Sequence, residues 1–279
     1  MGFAALALLG AASWGIGDFL GGLASRRAHV LTVLVISQAA GLLGAAIWAL
    51  TSGDARPALV DLWPAAGAGV AAALGLAALY RGMAIGAMGI VAPISATSPI
   101  VPLAVDVARG QTPSALQWVG IVVVLGGVVL LARETGGVGR GSGLATGVIL
   151  ALAAALGFGL FIVGLDASSD DSVAWTILVA RGAGATVALV AALAASTPLR
   201  PPARLFPMIL AVAAFDTVAN VLVAFATTKG PAGIVAVLSA LYPVTTIVLA
   251  RVLLAERLDR SRRIGGALAL GGAAAVAVG

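Results

Sequence analysis

The sequence predicts an all-α integral membrane protein of ten transmembrane helices, arranged as two inverted five-helix repeats. Three observations carry that expectation. Of 279 residues, 61% are hydrophobic and 10% charged, which is more apolar than the surface of a soluble domain can be. The apolar residues fall in runs long enough to cross roughly 30 Å of hydrocarbon at about 1.5 Å per residue. The chain also repeats itself across its midpoint.

Cutting at charged and turn-forming clusters places the spans at 3–23, 30–50, 64–86, 88–107, 115–132, 142–165, 173–195, 206–228, 231–251 and 264–279. Span 1 has no basic leader and no A-x-A exit, so it is expected to be a retained helix and not a signal peptide. Its Gly17, Gly21 and Gly22 allow close helix approach. Span 2 follows "SRRAH" and carries Gln38; span 3 closes on Tyr80 and Arg81. Span 4 contains Pro93, Pro99 and Pro102, and span 9 contains Pro243. Proline removes a helical hydrogen bond, so both spans should bend and turn freed carbonyls toward protein or water. Span 5 carries no charge, span 6 holds "GFGLF", span 7 Arg181, and span 8 Asp216 and Asn220. Span 10 follows "RLDRSRR" and is the shortest. The connections are too short to hold a soluble domain.

The repeat is direct. "GIVAPISATSP" at 89–99 lies over "GIVAVLSALYP" at 233–243 with seven of eleven letters identical, and "VGIVVVLGG" at 119–127 lies over "IGGALALGG" at 264–272, at offsets of 144 and 145. Extended backward, Gly41 meets Gly184, Gln38 meets Arg181, and "GIGDF" at 15–19 meets "GFGLF" at 157–161. The halves are therefore 1–133 and 142–279, five spans each. An odd number of spans per repeat turns the second half upside down, the architecture of alternating-access carriers with a midplane site.

Other function classes are poorly served. The net charge of +5 comes from scattered arginines, without the basic cluster and interleaved aromatics that nucleic acid needs. There is no cysteine and one histidine, His29, so neither disulfides nor a metal centre is expected. No Walker sequence is present, and no cofactor is implied. "GIGDF" contains the G-x-G-D of intramembrane aspartyl proteases, but that chemistry needs a second aspartate sharing a proton. Here Pro57-Ala58-Leu59, its nearest companion motif, falls in a polar loop.

Trp14-Gly15 in span 1, the Tyr80 segment, Pro99 and Pro243, and "LLAERLDRSRRIGG" at 253–266 resemble the drug/metabolite transporter superfamily, in its ten-helix form with two EamA domains. The first half lacks the glutamate corresponding to Glu256. The resemblance covers the whole chain. It implies a secondary-active transporter, an exporter of a small metabolite, amino acid or drug-like solute, working by alternating access and not an enzyme. An intramembrane or lipid-handling enzyme and a non-transporting membrane subunit are the competing readings. The partners it implies are the lipid bilayer, a small-molecule solute and protons as a candidate coupling ion, the chain being a monomer or homodimer. An arginine-, alanine- and glycine-rich composition suits the plasma membrane of a bacterium.

Charges inside spans are costly, about 2.5–3.5 kcal/mol for an Asp at the helix centre on insertion scales, so they mark function or a buried partner. Asp18 lies roughly 7.5 Å past the middle of span 1 and Arg81 roughly 9 Å past that of span 3, which runs the same way, so the two are expected to pair. Arg181, Asp216 and Asn220 form a second set near the midplane, with Gln38 at the repeat position of Arg181. These residues, with Trp14 and Tyr80 as cavity-lining aromatics, are the candidates for solute or proton binding. Pro93, Pro99 and Pro243 are the expected helix-bending positions.

Arg26, Arg27, Arg133, Arg140, Arg200, Arg204, Arg257, Arg260, Arg262 and Arg263 fall on one side of such a ten-span chain, and Arg56, Arg109 and Lys229 on the side of the termini. The positive-inside rule then puts the termini outside. The family resemblance implies termini inside.

Overall fold

In hydrocarbon every backbone N–H and C=O must be satisfied within its own segment, so apolar runs of this length become helices. The computed structural model describes residues 2–84, 88–132, 144–254 and 260–279. Among them the elements are α1 (Phe3–Ser25), α2 (Val30–Thr51), α3 (Leu59–Ala84), α4 (Met88–Ser95), α5 (Ile100–Ala108), α6 (Ala115–Ala132), α7 (Leu144–Ser169), α8 (Val173–Ala194), α9 (Phe206–Thr227), α10 (Ala232–Ser239), α11 (Tyr242–Leu254) and α12 (Arg260–Val278). A single 3-10 turn, Ala203–Leu205, precedes α9. The His29 side chain caps α2 by accepting from Leu31 N, and the Ser172 hydroxyl caps α8 by accepting from Trp175 N. Nine spans among the described residues are long and apolar enough to cross a membrane. The tenth helix, α12, spends its first turn on Arg260, Arg262 and Arg263, leaving a shorter apolar stretch.

Spans 4 and 9 are each broken into two half-helices at equivalent places: α4 and α5 meet around 96–99, and α10 and α11 around 240–241. Pro99 is the N-cap of α5 and Pro243 sits in the first turn of α11. There a missing N–H has no helical partner to lose. Pro93 lies inside α4, one turn before the break.

The pairing of helices follows an approximate two-fold. α1 packs on α9 as α7 packs on α3, α2 packs on α8, and α6 packs on α12. The last pair is built on glycine. A Cβ at Gly120 would stand 2.8 Å from the Gly272 carbonyl oxygen and one at Gly127 2.7 Å from that of Gly265, so the two backbones touch.

The same contacts set the repeat register, and in span 1 they differ from the letter match. Gly15 lies against Thr245 and the Tyr242 carbonyl, and Gly159 against Val101 and the Ser98 carbonyl. Each partner is displaced by 144, so Gly15 corresponds to Gly159 and not to Gly157. Ser13 and Gly157 confirm it, meeting the carbonyls of Phe215 and Ala71. "GIGDF" thus slides two residues relative to "GFGLF". The counterpart of Asp18 is the buried Ile162.

The two halves of the membrane are packed differently. Every residue of α10, on the side of the termini, is buried, whereas no residue of α11, toward the arginine-rich side, is. The apolar core runs through the early turns of α1 (Leu6, Ala7, Ala11), the late turns of α7 and α9 (Leu165, Val223, Ala226) and α10. All of these lie toward the terminal side.

Candidate functional site

Residues 7, 11, 14, 18 and 22 share one face of α1. Along it burial falls steadily: Ala7 and Ala11 are buried, Trp14 is half-buried, Asp18 and Gly22 are exposed. α9 repeats the gradient in the opposite chain direction, from the half-exposed Asp216 and Asn220 to the buried Val223 and Thr227. On both helices the polar positions Trp14, Asp18, Asp216 and Asn220 stay at least partly open beside buried core positions.

Three polar groups at the midplane are locked together. Arg181, on α8, is buried; its Nη1 donates to Gln38 Oε1 at 2.5 Å and its Nη2 pairs with Asp216 Oδ2 at 2.7 Å. The guanidinium fits because position 41 is glycine: a Cβ there would lie 3.0 Å from Nη1. In the mirror position Gln38 lies over Gly184, whose Cβ would stand 3.5 Å from its Nε2. Each long side chain therefore rests on the other repeat's glycine. The side chain of Arg181 is 3% exposed and that of Asp216 38%, so the pair leaves its carboxylate open and hides its cation.

Trp14 Nε1 donates to Asn220 Oδ1 at 3.1 Å, and its ring lies 6.3 Å from that of Phe161. Ser13 donates to the Phe215 carbonyl at 2.6 Å, and Gly17 lies against the backbone of Asp216. These contacts fix α1 on α9, with Asp18 next in sequence to the glycine that meets the Asp216 backbone. Thr246 donates to the Gly15 carbonyl at 3.0 Å, tying α11 to the same turn.

The expected pair of Asp18 with Arg81 does not form. α1 packs on α9 and α11 while α3 packs on α7 and α8; Arg81 is exposed in the last turn of α3. The two helices are not neighbours. Among the described residues no cation pairs with Asp18. The side chain of Tyr80 and residue Glu256 lie outside the described residues, as do Arg133, Arg140 and Arg257.

The charge reading of the spans overlooked the closed end. The buried Asp106 accepts from Gly233 N at 2.6 Å, capping α10 from α5, and Arg109 pairs with Asp166 at 2.9 Å. Ser172 donates to Asp54 at 2.7 Å, and Arg56 stacks over Trp175. Gly230 lies against the ring of Phe3. A carboxylate in the last turn of span 4, at the depth of the first turn of span 9, was the available signal. A carboxylate favours a helix N-terminus for both its free N–H groups and its dipole.

The model of the EamA-like transporter family matches residues 2–133 and 145–278. A solved crystal structure of a protein shares the fold with a TM-score of 0.82 at 17% identity, covering 99% of this chain and 96% of its own. No curated protein matches the sequence.

Proposed function

The chain belongs to the EamA-like transporter family, and from that premise we propose that it is a secondary-active exporter of a small metabolite, amino acid or drug-like solute, working by alternating access in a bacterial plasma membrane. The polar face shared by α1, α8 and α9 is its binding site, and the 1–133 and 142–279 halves are the units that rock against each other. One observation carries the reading. Two sequence-related halves have equivalent helix pairings, yet the half-helix α10 is wholly buried and its continuation α11 is not. A static scaffold gains nothing from that asymmetry, whereas a carrier needs two such states that exchange their open ends. Asp18, Asp216, Asn220 and Trp14 line the solute's path; Arg181 and Gln38 hold Asp216 in place. Protons are the proposed coupling ion, because Asp18 is an open carboxylate within a span that pairs with no cation among the described residues.

Flux into proteoliposomes across a panel of amines, amino acids and carboxylates, with and without a pH gradient, tests this. Asp18→Asn and Asp216→Asn should each abolish flux in protein that still inserts. Unchanged flux in both purified variants would remove the site.

A further inference from the structure

Resting on the transport reading, we infer that Asp106, Arg109 and Asp166 are a one-sided gate lock: they fasten α5 of the first half to α10 and α7 of the second on the side of the termini, the opposite face has no residues to replace them, and the protein therefore rests closed at the termini.

Polar contacts between the halves are of two kinds. The α2–α8 pair makes the same one at both membrane faces. Thr32, in the first turn of α2, donates to the Pro198 carbonyl at 2.7 Å, and Trp175, in the first turn of α8, donates its indole Nε1 to the Asp54 carbonyl at 3.5 Å. Thr32 and Trp175 each stand three residues past an N-cap, His29 and Ser172. A link present at both faces in one state need not break when the faces exchange, so α2 and α8 are the part about which the halves turn.

The links of α5 have no such symmetry. Asp106 is buried, and its Oδ2 accepts from Gly233 N at 2.6 Å. The first N–H groups of α10 have no helical acceptor, and a carboxylate answers both a free N–H and the helix dipole. The two backbones touch there, since a Cβ at Gly233 would stand 2.6 Å from Leu103 Cα. Just beyond, Arg109 Nη1 pairs with Asp166 Oδ2 at 2.9 Å and ties the end of α5 to α7. The packing register of 144 residues puts Ala250 at the position of Asp106, Leu253 at that of Arg109 and Gly22 at that of Asp166. None of the three has a polar side chain. When the halves exchange open ends, both links break on one side and cannot be remade on the other. Asp106 carries most of the bias, because its bond is buried, whereas the Arg109 side chain is 48% exposed and water screens the pair. A difference of that kind between two states shifts their populations directly.

The chain has no cysteine, so one introduced thiol reports one position. Ala236→Cys, one turn past Gly233 in α10, and Ala188→Cys, in α8, both start buried. Labelling by a polar maleimide is timed on the purified full-length protein, and flux is measured in proteoliposomes. Asp106→Ala should speed labelling at position 236 about tenfold or more, the weight of a hydrogen bond to a charged group. Arg109→Gln should speed it about two- to fivefold, as a half-exposed ion pair would. Neither should change position 188, and Thr32→Val should change neither position. Labelling at 236 that no lock variant alters, or that rises equally at 188, overturns the lock; where Asp106→Ala does not fold, Arg109→Gln decides alone. Faster labelling at 236 only, in a protein that moves no solute, upholds the lock and removes the transport reading. Flux in the native protein with labelling unchanged in the variants does the reverse.

Discussion

Breaking the Arg181–Asp216 pair from its two ends should give unequal losses, because the partners are unequally buried. Asp216→Asn removes the countercharge from a guanidinium whose side chain is 3% exposed, leaving it only the Gln38 carbonyl. Stranding one member of a buried pair costs about 3–5 kcal/mol. The Asp216 position is partly open, so the lower end, ~3 kcal/mol, is expected here. Arg181→Met does the opposite. It leaves a carboxylate with 38% of its side chain open, which water solvates, at ~1 kcal/mol for the lost exposed-side attraction. Gln38 loses a partner as well, for about another 1 kcal/mol. The double variant has no buried charge at this position and should resemble Arg181→Met, about 1–2 kcal/mol below wild type, a coupling of ~2 kcal/mol or more in the cycle. Equilibrium unfolding of all four proteins in one detergent measures it. Equal single losses, a larger loss for Arg181→Met, or simple additivity would each refute the reasoning.

Two further outcomes are expected. Gly127→Ala places a Cβ 2.5 Å from Ala269 N and should destabilise the α6–α12 pair by about 1–3 kcal/mol as overpacking does, whereas Gly126→Ala, with nothing within 4 Å, should unfold like wild type; equal midpoints would mean the helices do not touch at Gly127. Alkaline phosphatase fused at Gly279 should be active and a fluorescent protein dark, since ten loop arginines against three basic residues place the termini outside; the reverse pattern would show that family orientation outweighs the arginine bias.

Much of the bundle was legible because its causes are local. Helix limits follow from apolar length, and the half-helices of spans 4 and 9 meet at Pro99 and Pro243, which lack the N–H that would continue a helix, although Pro93 is carried inside α4. Gln38 and Arg181 were recognised as one repeat position because Gly41 and Gly184, on which they rest, keep the same spacing. The pairing of Asp18 was not legible. Depth along a span is a one-dimensional quantity that a sequence contains, while adjacency is a property of the packed bundle. Nothing in spans 1 and 3 says that α1 will lie on α9. The register of span 1 failed for a related reason. "GIGDF" and "GFGLF" share glycines two apart, so the letters fit equally well after a two-residue slide, and only the carbonyls against which Gly15 and Gly159 pack choose between them.

That slide changes what the site means. Under the letter match Asp18 corresponds to Leu160, which is exposed, and the two repeats would present an acid and an aliphatic side chain in equivalent open positions. Under the packing register it corresponds to Ile162, which is 6% exposed and part of the main core. Equivalent positions are thus buried in one repeat and open in the other. In an inverted repeat that is the consequence of closure at one face, since a two-fold related pair of residues must lie on opposite sides of the midplane. If the halves exchange states, Ile162 becomes exposed and Asp18 becomes buried, and an unpaired carboxylate cannot be buried cheaply. Asp18 must then carry a proton or a cation through the transition. A cysteine at Ile162 should therefore react with a small membrane-permeant thiol reagent faster in Asp18→Asn, which has no charge to bury, than beside the native Asp18. A rate unchanged by the substitution would show that Asp18 does not control the exchange.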